Sequence, residues 1–112
     1  MTTSQFNKMR LELRRGALVL AVLSSLNTPH YGYSLRKQLQ QAGIDVEEGT
    51  LYPLIRRLAD QQLLDSQWRH TEGRERRYYQ LSNDGKALLE QLSTEWQGLT
   101  QSVNALLAEN MQ

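Results

Sequence analysis

No cysteine occurs anywhere in the chain, which excludes disulfides, zinc–thiolate centres and thiol nucleophiles and suits a reducing, cytoplasmic setting. Histidine is almost as scarce. His30 falls in a turn and His70 on a hairpin arm, and no pair of carboxylates is spaced for acid–base chemistry or metal binding. A glycine-rich phosphate loop is absent as well. An enzyme, a metal centre and a bound cofactor are therefore not expected. Long apolar runs are missing too: Gly16 to Leu26 is far shorter than the about 20 residues that span a bilayer. Lys8, Arg10, Arg14 and Arg15 precede that run and give it a superficial likeness to a secretory leader. Glu12 among the basic residues and the poor cleavage site at Ser24-Ser25-Leu26-Asn27 argue instead for a buried helix, with no membrane partner.

What is present reads as globular: 112 residues, 39% apolar and 22% charged, enough for one modest core. The net charge of +1 hides a division. Residues 1–80 carry 12 Lys/Arg against 8 Asp/Glu, whereas residues 81–112 carry Lys86 against Asp84, Glu90, Glu95 and Glu109. A basic front and an acidic back predict a polyanion partner at one end and a different task at the other.

Taken in order, Met1 to Gln5 is polar and predicted to fray. A helix follows from about Phe6 to Leu26, with Leu11, Leu18, Val22 and Leu26 on one face. Ala17 to Leu23 is apolar nearly all round, the pattern of a helix covered on several sides. Gly16 within it costs about 1 kcal/mol relative to alanine, which a close helix crossing would justify. Asn27 to His30 supplies turn chemistry. The second helix is predicted at Tyr31 to Gln41, with Leu35, Leu39 and Ala42 inward and Arg36, Lys37, Gln40 and Gln41 outward. Gly43 suits a left-handed cap, and Ile44 to Val46 is a brief link able to form a single bridge of strand.

Gly49 to Leu64 holds the third helix. Leu51, Leu54, Ile55 and Leu58 stand at i, i+3, i+4 and i+7, one apolar stripe. Opposite lie Pro53, Arg56 and Asp60, flanked by Tyr52 and Arg57. Thr50 is the predicted N-cap, which would put Pro53 at the third helical position, where no intrahelical donor is lost. This is either an ordinary amphipathic surface helix or a groove-reading one. Two helices joined by a short glycine-containing turn form a helix-turn-helix.

Asp65 to His70 and Glu75 to Leu81 read as a hairpin around Thr71-Glu72-Gly73-Arg74, with Trp68, Tyr78 and Tyr79 supplying strand-favouring bulk. Tyr79 shares a face with Leu81 and is expected in the core, leaving Tyr78 the more exposed. Arg69, Arg74, Arg76 and Arg77 fall within nine residues, a wing that serves solubility or a polyanion. Ser82 caps a last helix reaching about Glu109. Its apolar positions Leu88, Leu92, Trp96, Leu99, Val103 and Leu106, widened by Leu89 and Leu107, run at near-heptad spacing. Such a helix either folds back over its own domain or pairs with a second copy, and its overhang favours the pair. The expected architecture is mainly α with a small β-hairpin: a winged helix-turn-helix over residues 1–81 and a C-terminal dimerisation helix over 82–112.

These residues resemble the PadR family of bacterial winged-helix transcriptional regulators, in the short form with a single C-terminal helix. The resemblance rests on Tyr31-Gly32-Tyr33, Gly49-Thr50-Leu51-Tyr52-Pro53, Arg56-Arg57-Leu58, Trp68, Arg76-Arg77-Tyr78-Tyr79-Gln80-Leu81-Ser82 and Trp96. It covers about residues 10–108. Departures are Ser82-Asn83 in place of Thr-Glu, and Leu63-Leu64 without the glycine common after the third helix, which blurs where that helix ends. The resemblance implies a homodimeric repressor on a pseudo-palindromic double-stranded operator, with the third helix in the major groove and the wings on flanking backbone or minor groove.

Tyr52 and Arg56 are then candidates for base or groove-edge contact, with Pro53 beside them. Thr50, Tyr31, Tyr33, Arg36 and Lys37 would position phosphates, and Arg74, Arg76 and Arg77 are wing contacts. Arg57 is either a further contact or a partner of Asp60 or Asp65. By the same resemblance Trp96, with Leu92 and Leu99, would line a site for a small aromatic effector between subunits, or else pack tightly at the seam. The other non-enzymatic reading is a winged-helix protein–protein adaptor, since a fold does not fix a function. Adaptors tend to lose the basic face that Arg36, Lys37, Arg56 and Arg57 keep here.

Overall fold

Apolar side chains at helical spacing meet in one core, and the elements are arranged to supply them. The computed structural model describes residues 2–110, in the order α1 (Thr3–Ser25), α2 (Gly32–Gln41), α3 (Glu48–Asp60), β1 (Leu64–Thr71), β2 (Arg74–Leu81) and α4 (Asn83–Asn110). Val22, Leu23 and Leu26 come from the end of α1, Leu35 and Leu39 from α2, and Val46 from the link. The predicted stripe Leu51, Leu54, Ile55 and Leu58 comes from α3, and Leu64 and Leu81 close the base of the hairpin. Each such burial is worth roughly 1.5–3 kcal/mol. No polar or charged residue among those described is buried with them.

Helix ends account for most differences from expectation. The start of α1 is not frayed: the Thr2 hydroxyl accepts from the Gln5 amide at 3.1 Å, and the Gln5 side-chain oxygen accepts from the Thr2 amide at 2.8 Å. That capping box holds two otherwise free donors, so the helix begins at Thr3; Met1 lies outside the described residues. Helix α1 is also not covered on several sides by its own chain. Ala17 to Ala21 are half-buried, Phe6, Met9, Leu11 and Leu13 are exposed, and nothing crosses near Gly16. Ala42, predicted inward, is the exposed C-cap of α2. Gly43 takes the left-handed conformation as predicted, at φ 89°.

Helix α3 starts earlier and ends earlier than its sequence predicts. Glu47 occupies the cap position and Glu48 the first turn; Thr50 is already helical, and Pro53 stands in the interior. Lacking an N–H, Pro53 leaves the Gly49 carbonyl without its usual donor. The far end closes at Asp60. Gln62 N–H donates to the Ala59 carbonyl at 3.0 Å and Leu63 N–H to the Leu58 carbonyl at 3.0 Å, a Schellman arrangement. Gln62 itself takes φ 65°, a left-handed conformation that glycine adopts without strain.

The hairpin is tighter than predicted. Thr71 pairs with Arg74, and the strands run in register from Leu64 opposite Leu81. Only Glu72 and Gly73 form the turn, at φ 51° and 75°, the type I′ geometry that matches strand twist. The expected bridge at Ile44 to Val46 does not form. The isolated bridge joins His30 to Tyr79 instead, with amide–carbonyl bonds of 3.0 and 2.8 Å.

Ser82 caps α4 as predicted: its hydroxyl accepts from the Gly85 amide at 3.0 Å and donates to the Gln62 carbonyl at 2.8 Å. Leu88, Leu89 and Leu92 lean on the chain's own core, so Leu88 and Leu92, expected between copies, already have intramolecular neighbours. From Trp96 through Leu99, Val103, Leu106 and Leu107 the stripe is exposed.

Gly85 is the tightest junction. A methyl group there would run into the Leu63 carbonyl oxygen and approach Leu81 to 3.1 Å, and backbone cannot yield. Gly85→Ala should lose about 2 kcal/mol or more in urea unfolding. Gly98→Ala, with open space around it, should gain up to about 1 kcal/mol.

Candidate nucleic-acid interface

With one face of α3 committed to the core, the other is left for a partner. Pro53, Arg56, Arg57 and Asp60 are exposed there. Among the described residues neither arginine has an ion-pair or side-chain hydrogen-bond partner, so the pairing of Arg57 with Asp60 or Asp65 does not occur. Thr50 is exposed one turn earlier. Tyr52 is half-buried, its ring packed over Gly32, where an added Cβ would meet Tyr52 Cε1 at 2.7 Å. Burial pushes the Tyr52 phenol up, Glu48 adds to the rise and Arg36 opposes it, so it stays protonated. Only part of that side chain is offered outward.

Helix α2 contributes two kinds of cation. Lys37 is exposed, 5.5 Å above the ring of Tyr33. Arg36 is turned toward α3: its Nε donates to the Val46 carbonyl at 3.0 Å and its Nη1 to Glu48 at 3.3 Å. Arg36, predicted to position phosphate, thereby joins the two helices of the motif. Glu48 was missed as a member of this surface; an acid in the first turn of a helix is the signal that could have found it.

The register divides the wing into two faces. Gln67, Arg69 and Thr71 share one with Arg74, Arg76, Tyr78 and Gln80; Trp68 and His70 share the other with Glu75, Arg77 and Tyr79. Tyr79 packs on the core as predicted. Tyr78 is not freely exposed, because Tyr31 lies 5.3 Å away edge-on and Arg69 sits 4.7 Å over its ring. Arg77 donates to the Ser66 hydroxyl at 3.0 Å, and Arg74 is exposed.

Between α2, α3 and the wing lies an open cleft of about 820 Å³, lined by Tyr31, Tyr33, Tyr52, Arg56, Arg74, Arg76 and Arg77, with Glu48, Glu72 and Glu75. Glu48 and Glu72 are paired with Arg36 and Arg76 and Glu75 lies 2.9 Å from His70 Nδ1, so Arg56, Arg74 and Arg77 are the arginines of the cleft without a carboxylate partner among the described residues. A cleft of about 480 Å³ between α1 and α4 is lined by Leu20, Ser24, Lys86, Leu89, Glu90, Ser93, Thr94 and Gln97. Leu92, Trp96 and Leu99 are not part of it.

A helix-turn-helix with a basic outer face, followed by a hairpin that returns to the same cleft, matches a known pattern along most of its length. A family model described as the transcriptional regulator PadR-like family matches residues 19–91. The chain belongs to that family. A PadR family transcriptional regulator from Eggerthella lenta has a similar structure, with TM-score 0.85, 44% identity and 93% of each chain covered. A PadR-like regulator from Bacillus cereus aligns with TM-score 0.79 and 29% identity over 86% of this chain and 96% of that one. A transcriptional regulator of Mycobacterium tuberculosis is 37% identical over 79 residues, 70% of this chain and 74% of the relative. PadR membership makes the winged helix-turn-helix a DNA-binding unit of a transcriptional regulator.

His30 is the titratable group at the root of this PadR wing. Its Nδ1 lies 3.0 Å from the Ser34 hydroxyl and its Nε2 3.3 Å from that of Thr28. Burial lowers its pKa, opposed by the nearby Gln38 side chain. A folded-state pKa below the unfolded value stabilises the fold above about pH 6.5 and loses that contribution as pH falls toward the lowered value. Thermal melts between about pH 7.5 and 5.5 should show this decline, and His30→Gln should flatten it.

Proposed function

We propose that the chain is a homodimeric repressor that binds a pseudo-palindromic operator, α3 entering the major groove of each half-site. The observation that carries this reading is the pair of unpartnered arginines, Arg56 and Arg57, exposed on α3 beside the cleft it shares with the wing. Arg56 is assigned base-edge contact together with the outward part of Tyr52 and with Pro53. Arg57, Thr50, Tyr31, Tyr33 and Lys37 are assigned phosphate positioning, and Arg74 and Arg77 flanking contacts. Arg36 acts here through Glu48 and the start of α3. An adaptor would leave this basic face without use. No helix among the described residues is long and apolar enough to cross a membrane, in keeping with work in the cytoplasm.

Two exposed stripes support the dimer. On α4 they are Trp96, Leu99, Val103 and Leu106; on α1, Phe6, Met9 and Leu13 run at spacings of 3 and 4 that continue to Gly16 and Leu20. Apolar surface of this extent is characteristic of an interface. Leu88 and Leu92 would stand at the root of that seam. Trp96, 45% exposed in one chain, is assigned with Leu92 and Leu99 to a small aromatic effector held between subunits.

On an operator selected from random DNA, Arg56→Ala should reduce preference over unrelated duplex by about 10- to 100-fold. Arg74→Ala should instead weaken all duplexes alike and lower the salt slope by about 1 per protomer. Retention of full operator preference by Arg56→Ala would sink the base-contact assignment. For the seam, Leu99→Glu with Leu106→Glu should convert the protein to a monomer in sedimentation equilibrium; a persistent dimer would remove α4 from the interface.

A further inference from the structure

The arginines of the wing are not equivalent. Arg74 is exposed and free of side-chain partners among the described residues, and Arg77, though bonded to Ser66, is exposed as well. Arg76 has only 18% of its side chain exposed. Its Nη1 donates to the Tyr31 hydroxyl at 3.1 Å, and its guanidinium carbon lies 4.5 Å from the centre of that ring. The same Nη1 is 3.5 Å from Glu72 Oε2. Tyr31 precedes the first turn of α2 and also meets Tyr78 edge-on and Tyr33 face-on, at 5.3 and 6.4 Å.

We infer that Arg76 is a positioning residue that fixes the angle of the wing against α2 through Tyr31, and that it does not hold a phosphate. The inference rests on the DNA-binding reading above. A two-stranded ribbon is marginal by itself, and beyond the His30–Tyr79 bridge the wing runs on through Tyr78, Arg76 and the turn. Arg76 and Tyr78 against Tyr31 brace that projecting part. A phosphate ligand, by contrast, needs a fork of free N–H groups. The Arg76 guanidinium is taken up by the Tyr31 ring and hydroxyl and by a carboxylate, and Glu72 would repel an incoming phosphate. A lysine ammonium can sit over a ring, as Lys37 does over Tyr33, but as a point charge it cannot hold the Tyr31 ring, the Tyr31 hydroxyl and Glu72 together as the fixed fork of a guanidinium does.

The test compares Arg76→Gln, Arg76→Lys, Tyr31→Phe and Arg74→Gln. Binding to an arbitrary duplex of about 30 base pairs is followed across salt concentration, and hydrogen exchange of the wing amides is followed without DNA. Arg76→Gln should bind about tenfold more weakly with the wild-type salt slope, and its wing amides should exchange faster. Arg76→Lys should not restore binding. Tyr31→Phe, which keeps the ring, should show part of the same loss, and adding it to Arg76→Gln should change little further. Arg74→Gln should lower the slope by about 0.9 per protomer and leave exchange unchanged. The inference is overturned if Arg76→Gln lowers the slope as Arg74→Gln does with wild-type exchange, or if Arg76→Lys binds like wild type. Wild-type protein whose duplex binding ignores salt would overturn the DNA reading instead, and the exchange arm would still decide the brace.

Discussion

The bonds at the root of the hairpin are the constraint on which the rest depends. His30 and Tyr79 exchange backbone hydrogen bonds, and the Leu81 amide donates to the Leu26 carbonyl at 2.9 Å. Ser82 reaches back to Leu63 by its amide at 3.0 Å and to Gln62 by its hydroxyl at 2.8 Å. Three connections that would otherwise be independent loops, those after α1, after α3 and before α4, are thereby tied at one place. The tie has geometric consequences at both ends of the molecule. It brings the wing to the cleft that it shares with α2 and α3, and it starts α4 with Gly85 pressed against the Leu63 carbonyl. Because most of these bonds are backbone to backbone, they hold position without demanding particular side chains. That leaves the surface residues free to serve recognition.

A second constraint acts on α3 alone. Its stripe of Leu51, Leu54, Ile55 and Leu58 fixes rotation about the helix axis, since a turn of 100° would bury Arg56 or Arg57 at prohibitive cost. Sliding along the axis is prevented at one end by Arg36, which grips both Val46 and Glu48, and at the other by the paired amide bonds around Gln62. A helix with rotation and translation both set presents its exposed residues in a defined frame. Tyr52 tightens the frame further, because its ring occupies the space that Gly32 leaves open. The backbone that carries the outward residues of α3 is therefore fixed by contacts within the chain.

Legibility in the sequence follows from how far apart the determining atoms lie. The inward stripe of α3, the positive-φ position at Gly43 and the Ser82 cap depend on residues within one or two turns, and local pattern foretells them. The start of α3 does not, because it is set by an arginine of the preceding helix, and Thr50 looked like the better cap on local grounds. The left-handed Gln62 is opaque for a related reason: its carbonyl accepts from the Ser82 hydroxyl, 20 residues on, and glutamine gives no sign of it. Basic residues of the candidate site could be collected from sequence, but not sorted. Arg36, Arg56, Arg74 and Arg76 look alike as letters. Only tertiary contacts, such as the 45-residue separation between Arg76 and Tyr31, distinguish a bracing arginine from an open one. The exposed stripe at Phe6, Met9 and Leu13 is readable in principle, yet the more apolar segment after Gly16 carries its strongest periodicity on the opposite face.

Those leftover stripes bear on how the two halves of the proposed dimer would work together. Half-sites on DNA repeat about every 34–36 Å, so two copies of α3 must be held at that separation. Nothing in the DNA-binding unit can do this, as its own core is already closed. The elements that overhang it are α4 and the first half of α1, and they end in apolar residues without cover. If the same surfaces both hide these residues and set the spacing, a ligand lodged near Trp96 would change DNA affinity by altering separation, with no contact to α3. Such control would act on both half-sites together, because one seam serves both. The acidic charge of residues 81–112 fits this placement, since it would keep such a seam away from the phosphates of bound DNA.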